Sequence, residues 1–254
     1  VTGTSNLIMA SVLANGKTIL KNISIEPEVL DLIKFLKGGG AKIYFIGKRT
    51  IKIHGVKKLK GHSHEVIGDR IEAFSYLCSA AITKGKIKVN KINSKYLEAE
   101  LKILKNIGCN IKVSKYSIEL SRKKKLKQAK IKTSPFPGFA TDCMPMLMAV
   151  LTKSNGKSVI EEKIFTNRYM AAPELVRMGA TINIKGSKAT IIGKTKLNGA
   201  DCISSDLRST FAIILAAMAA EGTSCIRRVY HGLRGYSNLY NNLKKIGVNI
   251  KRKS

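Results

Sequence analysis

The chain has 254 residues, 44% of them hydrophobic, enough for one large domain or two ordinary ones with packed cores. Its formal charge is +30, yet only 10 of the 46 basic residues are arginines, and the lysines are spread along the whole chain, which reads as compositional drift and disfavours a groove built for nucleic acid. No apolar run approaches the roughly 18 residues that span a bilayer, and no basic region precedes the first apolar stretch, so the sequence reads as soluble and cytoplasmic, with no membrane partner.

Taken in chain order, four segments share one grammar. Each opens with an apolar helical run: NLIMASVLANG, EAFSYLCSAAITKG, MPMLMAVLTKSNG and STFAIILAAMAAEG. Each run closes at a glycine, Gly16, Gly85, Gly156 or Gly222, which reads as a helix C-cap. A short strand follows (KTIL, KIKV, KSVI, TSCI), then an amphipathic helix, then a second glycine, Gly40, Gly108, Gly179 or Gly247. First and second glycines lie 24, 23, 23 and 25 residues apart, and first glycines recur after 69, 71 and 66 residues. After the second glycine the first three segments continue as strand, turn and strand, which predicts an α/β protein of about four helix, strand, helix, strand, strand repeats of roughly 70 residues. The fourth segment stops at KRKS before its hairpin can close, and the first begins at Val1 inside a loop. Both ends therefore read as cut, with a missing strand to be supplied from elsewhere, since an open sheet edge is a liability for solubility.

Between the repeats lie features of lesser promise. His62 and His64 in GHSHE have no third ligand in sight and read as exposed polar residues rather than a metal site. RKKKLKQAKIK, Arg122 to Lys132, is the one dense basic run; without aromatics to stack bases it reads as a solvated hairpin or connector. GKS at Gly156 to Ser158 has the tail of a phosphate loop, but Leu151 stands where that loop needs its first glycine. The five cysteines form no CxxC pair and read as reduced core thiols, and neither metal nor cofactor is called for.

The repeat boundaries carry the chemistry. VIGDRIEAF, FATDCMPMLM and SSDLRSTF place Asp69, Asp142 and Asp206 14 to 16 residues before the closing glycine, and three acids at one repeat position read as helix N-caps. A helix N-terminus is also an anion site, so the two readings are compatible. Arg70 and Arg208 follow two of the caps and Arg234 lies in HGLRGYSN; arginine is suited to gripping carboxylate or phosphate through two bonds.

With these motifs assembled, FATDCMPMLMAVL, IFTNRYMAAPELVRMGATI, SSDLRSTFAIILAAMAAEG and VYHGLRGYSNLYNNLKKIGVNIKR resemble the C-terminal part of the enolpyruvyl transferases (1-carboxyvinyltransferases) that act on UDP-N-acetylglucosamine. Upstream, GTSNLIMASVLANGKTILKNISIEPEVLDLIKFLKGGGAKI and GDRIEAFSYLCSAAITKGKI match the same family in the same order, so the resemblance covers essentially the whole chain. It implies an inside-out α/β barrel fold of six repeats in two domains, with the active site in the cleft between them and about the first two repeats missing here. Residues 1–67 would then close the first domain, and 68–254 would form a second domain lacking a strand that the family takes from its own N-terminus.

The implied reaction transfers enolpyruvyl from phosphoenolpyruvate to the 3′-hydroxyl of UDP-N-acetylglucosamine, releasing phosphate, as the first committed step of peptidoglycan synthesis. By resemblance, Asp142 is the base, Arg234 binds the enolpyruvyl carboxylate, Asp206 lies near the reacting centre and Arg208 helps hold its turn. Ile164 falls where a valine backbone contacts the nucleotide sugar, Arg70 and Arg208 support substrate binding, and Thr2 and Gly3 in Val1 to Thr4 lie along the uridine diphosphate. FATD stands where the family usually has FPTD. The family's general-acid cysteine and phosphoenolpyruvate-binding residues belong to the missing part, so the chain alone is expected to be inactive until completed by it; Cys143, next to Asp142, reads as a packing thiol. Two other readings stay open: the shikimate-pathway enolpyruvyl transferase, distinguished by binding of shikimate 3-phosphate, and a non-catalytic polyanion-binding remnant, distinguished by steep salt dependence.

Overall fold

A computed structural model describes residues 1–252; Lys253 and Ser254, the end of the KRKS run, lie outside the described residues. Contacts divide the chain into two compact units, Val1–Gly68 with Pro135–Pro137, and Asp69–Ser134 with the chain from Gly138 onward.

The first unit holds one repeat: α1 (Thr2–Val12), β1 (Lys17–Lys21), α2 (Pro27–Gly38), β2 (Lys42–Gly47) and β3 (Thr50–His54). The strands form an antiparallel sheet in the order β1-β3-β2, with Ile53 opposite both Thr18 and Ile43. Its inward face places Ile43, Ile51 and Ile53 against Ile8 and Val12 of α1 and Val29, Ile33 and Leu36 of α2. The α1 run is less enclosed than its composition suggests, because Leu7, Met9 and Leu13 are exposed.

The second unit holds the other three repeats. The first of them comprises α3 (Arg70–Thr83), β4 (Lys86–Asn90), α4 (Glu98–Asn106), β5 (Asn110–Ser114) and β6 (Ser117–Ser121), and its sheet has the order β4-β6-β5. Two short strands, β7 (Leu126–Lys127) and β8 (Lys130–Lys132), lead to α5 (Met144–Leu151), β9 (Ser154–Asn155), β10 (Lys157–Glu161), α6 (Ala172–Arg177), β11 (Thr181–Lys185) and β12 (Lys188–Ile192). Here the order is β11-β12-β10, extended by β8 in parallel. The last repeat consists of β13 (Asp201–Ile203), α7 (Leu207–Met218), β14 (Cys225–Arg227), α8 (Tyr230–Leu233) and α9 (Leu239–Lys245); β13 pairs with β14, and the described chain forms no strand after α9. In each complete repeat the last strand thus lies between the other two.

The apolar runs become the centre of this unit. All eight residues of α5 and every residue of α7 from Arg208 to Ala216 are buried, and α3, α5 and α7 pack on one another. The amphipathic helices keep one wet face: α4 buries only Glu100, Leu101 and Leu104.

The second glycines terminate those helices by one device. Gly40, Gly108, Gly179 and Gly247 have φ between +87° and +111°, one residue beyond the helix cap. In each case the glycine N–H donates three residues back, and the next N–H donates five residues back, to Leu36, Leu104, Leu175 or Leu243. These are Schellman motifs, and the four leucines are buried beneath them.

The first glycines act differently from the expected C-caps. Gly16, Gly156 and Gly222 do take positive φ, but α1, α5 and α7 end at Val12, Leu151 and Met218, so these glycines form turns into the following strands. At α3 the left-handed residue is Lys84 (φ 59°), with Gly85 after it.

The basic run also departs from a solvated connector. Arg122 is buried and donates to the Ile82 carbonyl at 3.0 Å, Leu126 and Ile131 enter the core, and both short strands pair with neighbours. His64 is likewise not an exposed polar residue: its Nε2 lies 3.1 Å from Asp31 Oδ1, and its ring meets Phe35 edge-on. His62 is exposed, with its ring against Phe35.

Candidate active site

The N-terminal ends of the three central helices carry the boundary acids, and two of them cap as expected. Asp69 accepts from the N–H groups of Ile71 at 2.7 Å and Glu72 at 3.0 Å, starting α3. Asp206 accepts from Arg208 N–H at 2.9 Å and Ser209 N–H at 3.0 Å, and from the Ser209 hydroxyl. Burial pushes the Asp206 carboxyl up, but the Ser209 hydroxyl, these two N–H groups and the charge of Arg168 outweigh it, leaving the pKa below its ordinary value.

Asp142 is not a cap, and spacing explains why. Asp69 and Asp206 stand 16 residues before their closing glycines, and the residue 16 before Gly156 is Ala140. Ala140 begins a 3₁₀ turn, Thr141–Cys143, that leads into α5, and Asp142 sits within that turn, two residues beyond the capping position. Its carboxylate is therefore released from backbone duty. One oxygen is held by the Nη2 of Arg168, and the other accepts from Nε of Arg208 at 3.1 Å.

Arg208 is set firmly. Its side chain is buried on α7, its guanidinium lies over the ring of Tyr236 at 5.6 Å, and the Tyr236 hydroxyl is hydrogen-bonded to Ser75 Oγ at 2.9 Å. Burial works against the Arg208 charge, but the neighbouring Tyr236, Asp142 and Asp69 raise its pKa on balance. Burial likewise pushes the Tyr236 phenol up, to about 12. Nη1 of Arg208 and Nε of Arg168 are buried with no hydrogen-bond partner among the described residues.

The remaining predicted residues are placed as follows. Arg234 is exposed at the end of α8, two residues before Tyr236. Arg70 is buried at the start of α3; burial holds the Glu100 carboxyl above its ordinary range on balance, against the opposing Ala140 N–H and, more weakly, the Arg70 charge. Ile164 is exposed, and its backbone N–H donates to Glu162 Oε1 at 2.7 Å. Thr2 and Gly3 are exposed in the first turn of α1, in the first unit, and a Cβ on Gly3 would meet nothing within 4 Å. Cys143 is fully buried, and burial pushes its thiol well above the usual range; Cys78, Cys109 and Cys202 are buried too, whereas Cys225 is partly exposed. Among the described residues no group of three or more His, Cys, Asp or Glu could hold a metal ion, and no helix is long and apolar enough to cross a membrane.

Sequence reasoning passed over Arg168 and Glu162. Arg168 lies in the NRYM motif but 26 residues from Asp142, and Glu162 follows an apolar strand as the second acid of an EE pair. That pair, at a strand end otherwise rich in Val and Ile, was the available signal.

Comparison with known proteins shows the family of the chain as a whole. The family model described as EPSP synthase (3-phosphoshikimate 1-carboxyvinyltransferase) matches residues 1–243. Curated relatives named UDP-N-acetylglucosamine 1-carboxyvinyltransferase include one from Pelagibacter ubique, 47% identical over 252 residues, and one from Campylobacter jejuni, 46% identical over 254 residues. Each match covers 99% of this chain and 60% or 61% of the relative, so the chain spans about three fifths of their length. Among solved structures, the enolpyruvyl transferase NikO from Streptomyces tendae superposes with a TM-score of 0.90 at 23% identity, covering 98% of this chain and 60% of that one. An EPSP synthase from Acinetobacter baumannii superposes with a TM-score of 0.76 at 18% identity, covering 97% and 60%; both likenesses speak to the fold alone. With its repeated α/β architecture and the match over residues 1–243, the chain belongs to the EPSP synthase family of enolpyruvyl transferases.

Proposed function

We propose that the protein to which these residues belong transfers enolpyruvyl from phosphoenolpyruvate to the 3′-hydroxyl of UDP-N-acetylglucosamine, releasing phosphate, in the cytoplasm and at the start of peptidoglycan synthesis. The observation that carries this reading is the Asp142 carboxylate held between Arg168 and Arg208, with a buried N–H on each arginine that has no partner among the described residues. An acid fixed beside two cations suits a reaction in which a hydroxyl loses its proton next to an anionic co-substrate. The names of relatives at 44–47% identity give the nucleotide sugar and the carboxyvinyl group that is moved, and phosphoenolpyruvate as its donor is part of the proposal.

In this reading Asp142 takes the proton from the sugar hydroxyl as its oxygen adds to C2 of phosphoenolpyruvate, while C3 gains a proton from an acid. Loss of a C3 proton then expels phosphate and restores the carbon–carbon double bond. Asp206 fixes the end of α7 beside the reacting centre, Arg208 orients Asp142, and Arg234 receives the enolpyruvyl carboxylate. The Ile164 backbone contacts the nucleotide sugar, Arg70 adds positive field, and Thr2 and Gly3 contact the uridine diphosphate. Because the chain spans three fifths of its relatives, we assign turnover to a polypeptide of their full length and binding determinants to residues 1–254.

The test is titration with UDP-N-acetylglucosamine and with shikimate 3-phosphate, followed by phosphate release from phosphoenolpyruvate. Phosphate release dependent on UDP-N-acetylglucosamine supports the reading. A response to shikimate 3-phosphate alone would move the assignment to the other transferase. Binding only to random RNA, lost steeply with salt, would replace it with the polyanion reading.

A further inference from the structure

The two site elements that the resemblance draws from separate motifs, the Thr141–Asp142 turn and the loop that starts at Ile164, meet on one side chain. Glu162 is buried at 3% exposure, one residue beyond β10. Its Oε1 accepts from Ile164 N–H at 2.7 Å, Phe165 N–H at 3.1 Å and Thr133 Oγ1 at 2.8 Å. Its Oε2 accepts from Thr141 Oγ1 at 2.7 Å. The far end of the loop is secured at Tyr169, whose hydroxyl accepts from the Glu162 backbone N–H at 3.1 Å and lies 2.9 Å from the Ile160 carbonyl and 2.7 Å from that of Ser187, none of which uses the Glu162 carboxylate. Arg168, just before it, returns to Asp142.

These bonds form a closed ring: Glu162, Thr141, Asp142, Arg168, the loop back to Phe165 and Ile164, and Glu162 again. A buried carboxylate is costly unless its lone pairs are used, and four donors use them here. Its bonding is divided, Oε1 serving the loop amides together with Thr133 beyond β8, and Oε2 serving the turn.

We propose that Glu162 is a positioning residue that sets the Ile164 backbone and the Asp142 carboxylate in fixed relation, so that sugar placement and proton abstraction depend on one side chain. The inference rests on the transferase reading for its kinetic consequence, but the linkage itself is a property of the chain.

The variants separate the two arms. Glu162→Ala removes both; Thr141→Val removes only the turn arm; Glu162→Gln can keep both, its oxygen facing the loop amides and its NH₂ donating to a rotated Thr141 hydroxyl. Amide exchange on the whole chain is expected to speed up at Ile164, Phe165 and the 141–143 turn together in Glu162→Ala, at the turn alone in Thr141→Val, and at neither in Glu162→Gln. In the turning-over enzyme, Glu162→Ala is expected to raise KM for UDP-N-acetylglucosamine and lower kcat, each roughly tenfold, and Thr141→Val to lower kcat with KM unchanged. Glu162→Gln should return both parameters to within about threefold of wild type. Exchange confined to one arm in Glu162→Ala, or unchanged kinetics in that variant, overturns the proposal. The expected exchange pattern in a wild-type protein that shows no UDP-sugar-dependent turnover would sink the transferase reading and leave the linkage standing.

Discussion

Arg208 Nε donates to Asp142 Oδ2 at 3.1 Å, joining two helix entrances 66 residues apart in the chain. Arg168 completes the clasp from a third element. Asp142→Asn keeps the shape but removes the base and leaves two cations facing an amide. In the proposed transferase, turnover should fall by about 10²–10⁴-fold while UDP-N-acetylglucosamine binding stays measurable. Near-normal kcat in that variant excludes Asp142 as the base.

The cap at Asp206 predicts a pH dependence of stability. Its folded pKa lies below the ordinary value, so ionised Asp206 contributes stability that is present above about pH 4, its unfolded range, and is lost as pH falls through the folded pKa. Asp206→Ala should cost about 1 kcal/mol at neutral pH, and the gap in Tm between variant and wild type should narrow below pH 4. Thermal unfolding across pH 2.5–7 checks it; a gap that widens on acidification contradicts the cap's sign.

Two substitutions test the helix stop at Gly108. Gly108 has φ +111°, so Gly108→Ala forces a side chain into left-handed backbone and should cost about 1–2 kcal/mol. The new Cβ would stand 3.4 Å from the Lys125 carbonyl, so conformation rather than collision sets that cost. Leu104→Ala, beneath the same motif, should cost about 2–5 kcal/mol, the larger effect of the two. Denaturant midpoints rank them, and the reverse order would mean that backbone strain, not the buried leucine, dominates this stop.

Tyr236→Phe removes the hydroxyl bonded to Ser75 while keeping the ring beneath Arg208. Stability should fall by about 1 kcal/mol, with little change in turnover. Tyr236→Leu, which removes the ring, should also reduce kcat through Arg208. Equal kinetics for the two variants would show that Arg208 keeps its position without the aromatic face.

Glycine spacing made the fold legible, since the second glycines mark helix ends through local geometry that only glycine satisfies without strain. The apolar runs of α3, α5 and α7 were readable as buried helices for the same local reason. Asp142 was misread as a cap because repeat position alone does not show a two-residue slip. Arg168 and Glu162 were passed over because the partners that give them their place, Asp142, Thr141 and Thr133, lie 21 to 29 residues away in the chain, with no periodic pattern linking them. The core strands hidden in RKKKLKQAKIK were obscured by lysines, which mask Leu126 and Ile131 in a composition average. His64 was taken as exposed because it lies in a loop and its partner, Asp31 of α2, stands 33 residues earlier in the chain.

The four Schellman stops close through bonds between residues no more than five apart, so the geometry of each needs no distant backbone partner. During synthesis, the second helix of a repeat can find its end soon after its glycine leaves the ribosome, without waiting for later repeats. Errors of helix length, which would throw the following strand out of register, are thereby contained within a single repeat. Duplication of such a unit carries its own punctuation with it, and that leaves the other end of the repeat, where Asp142 slipped by two residues, free to diverge.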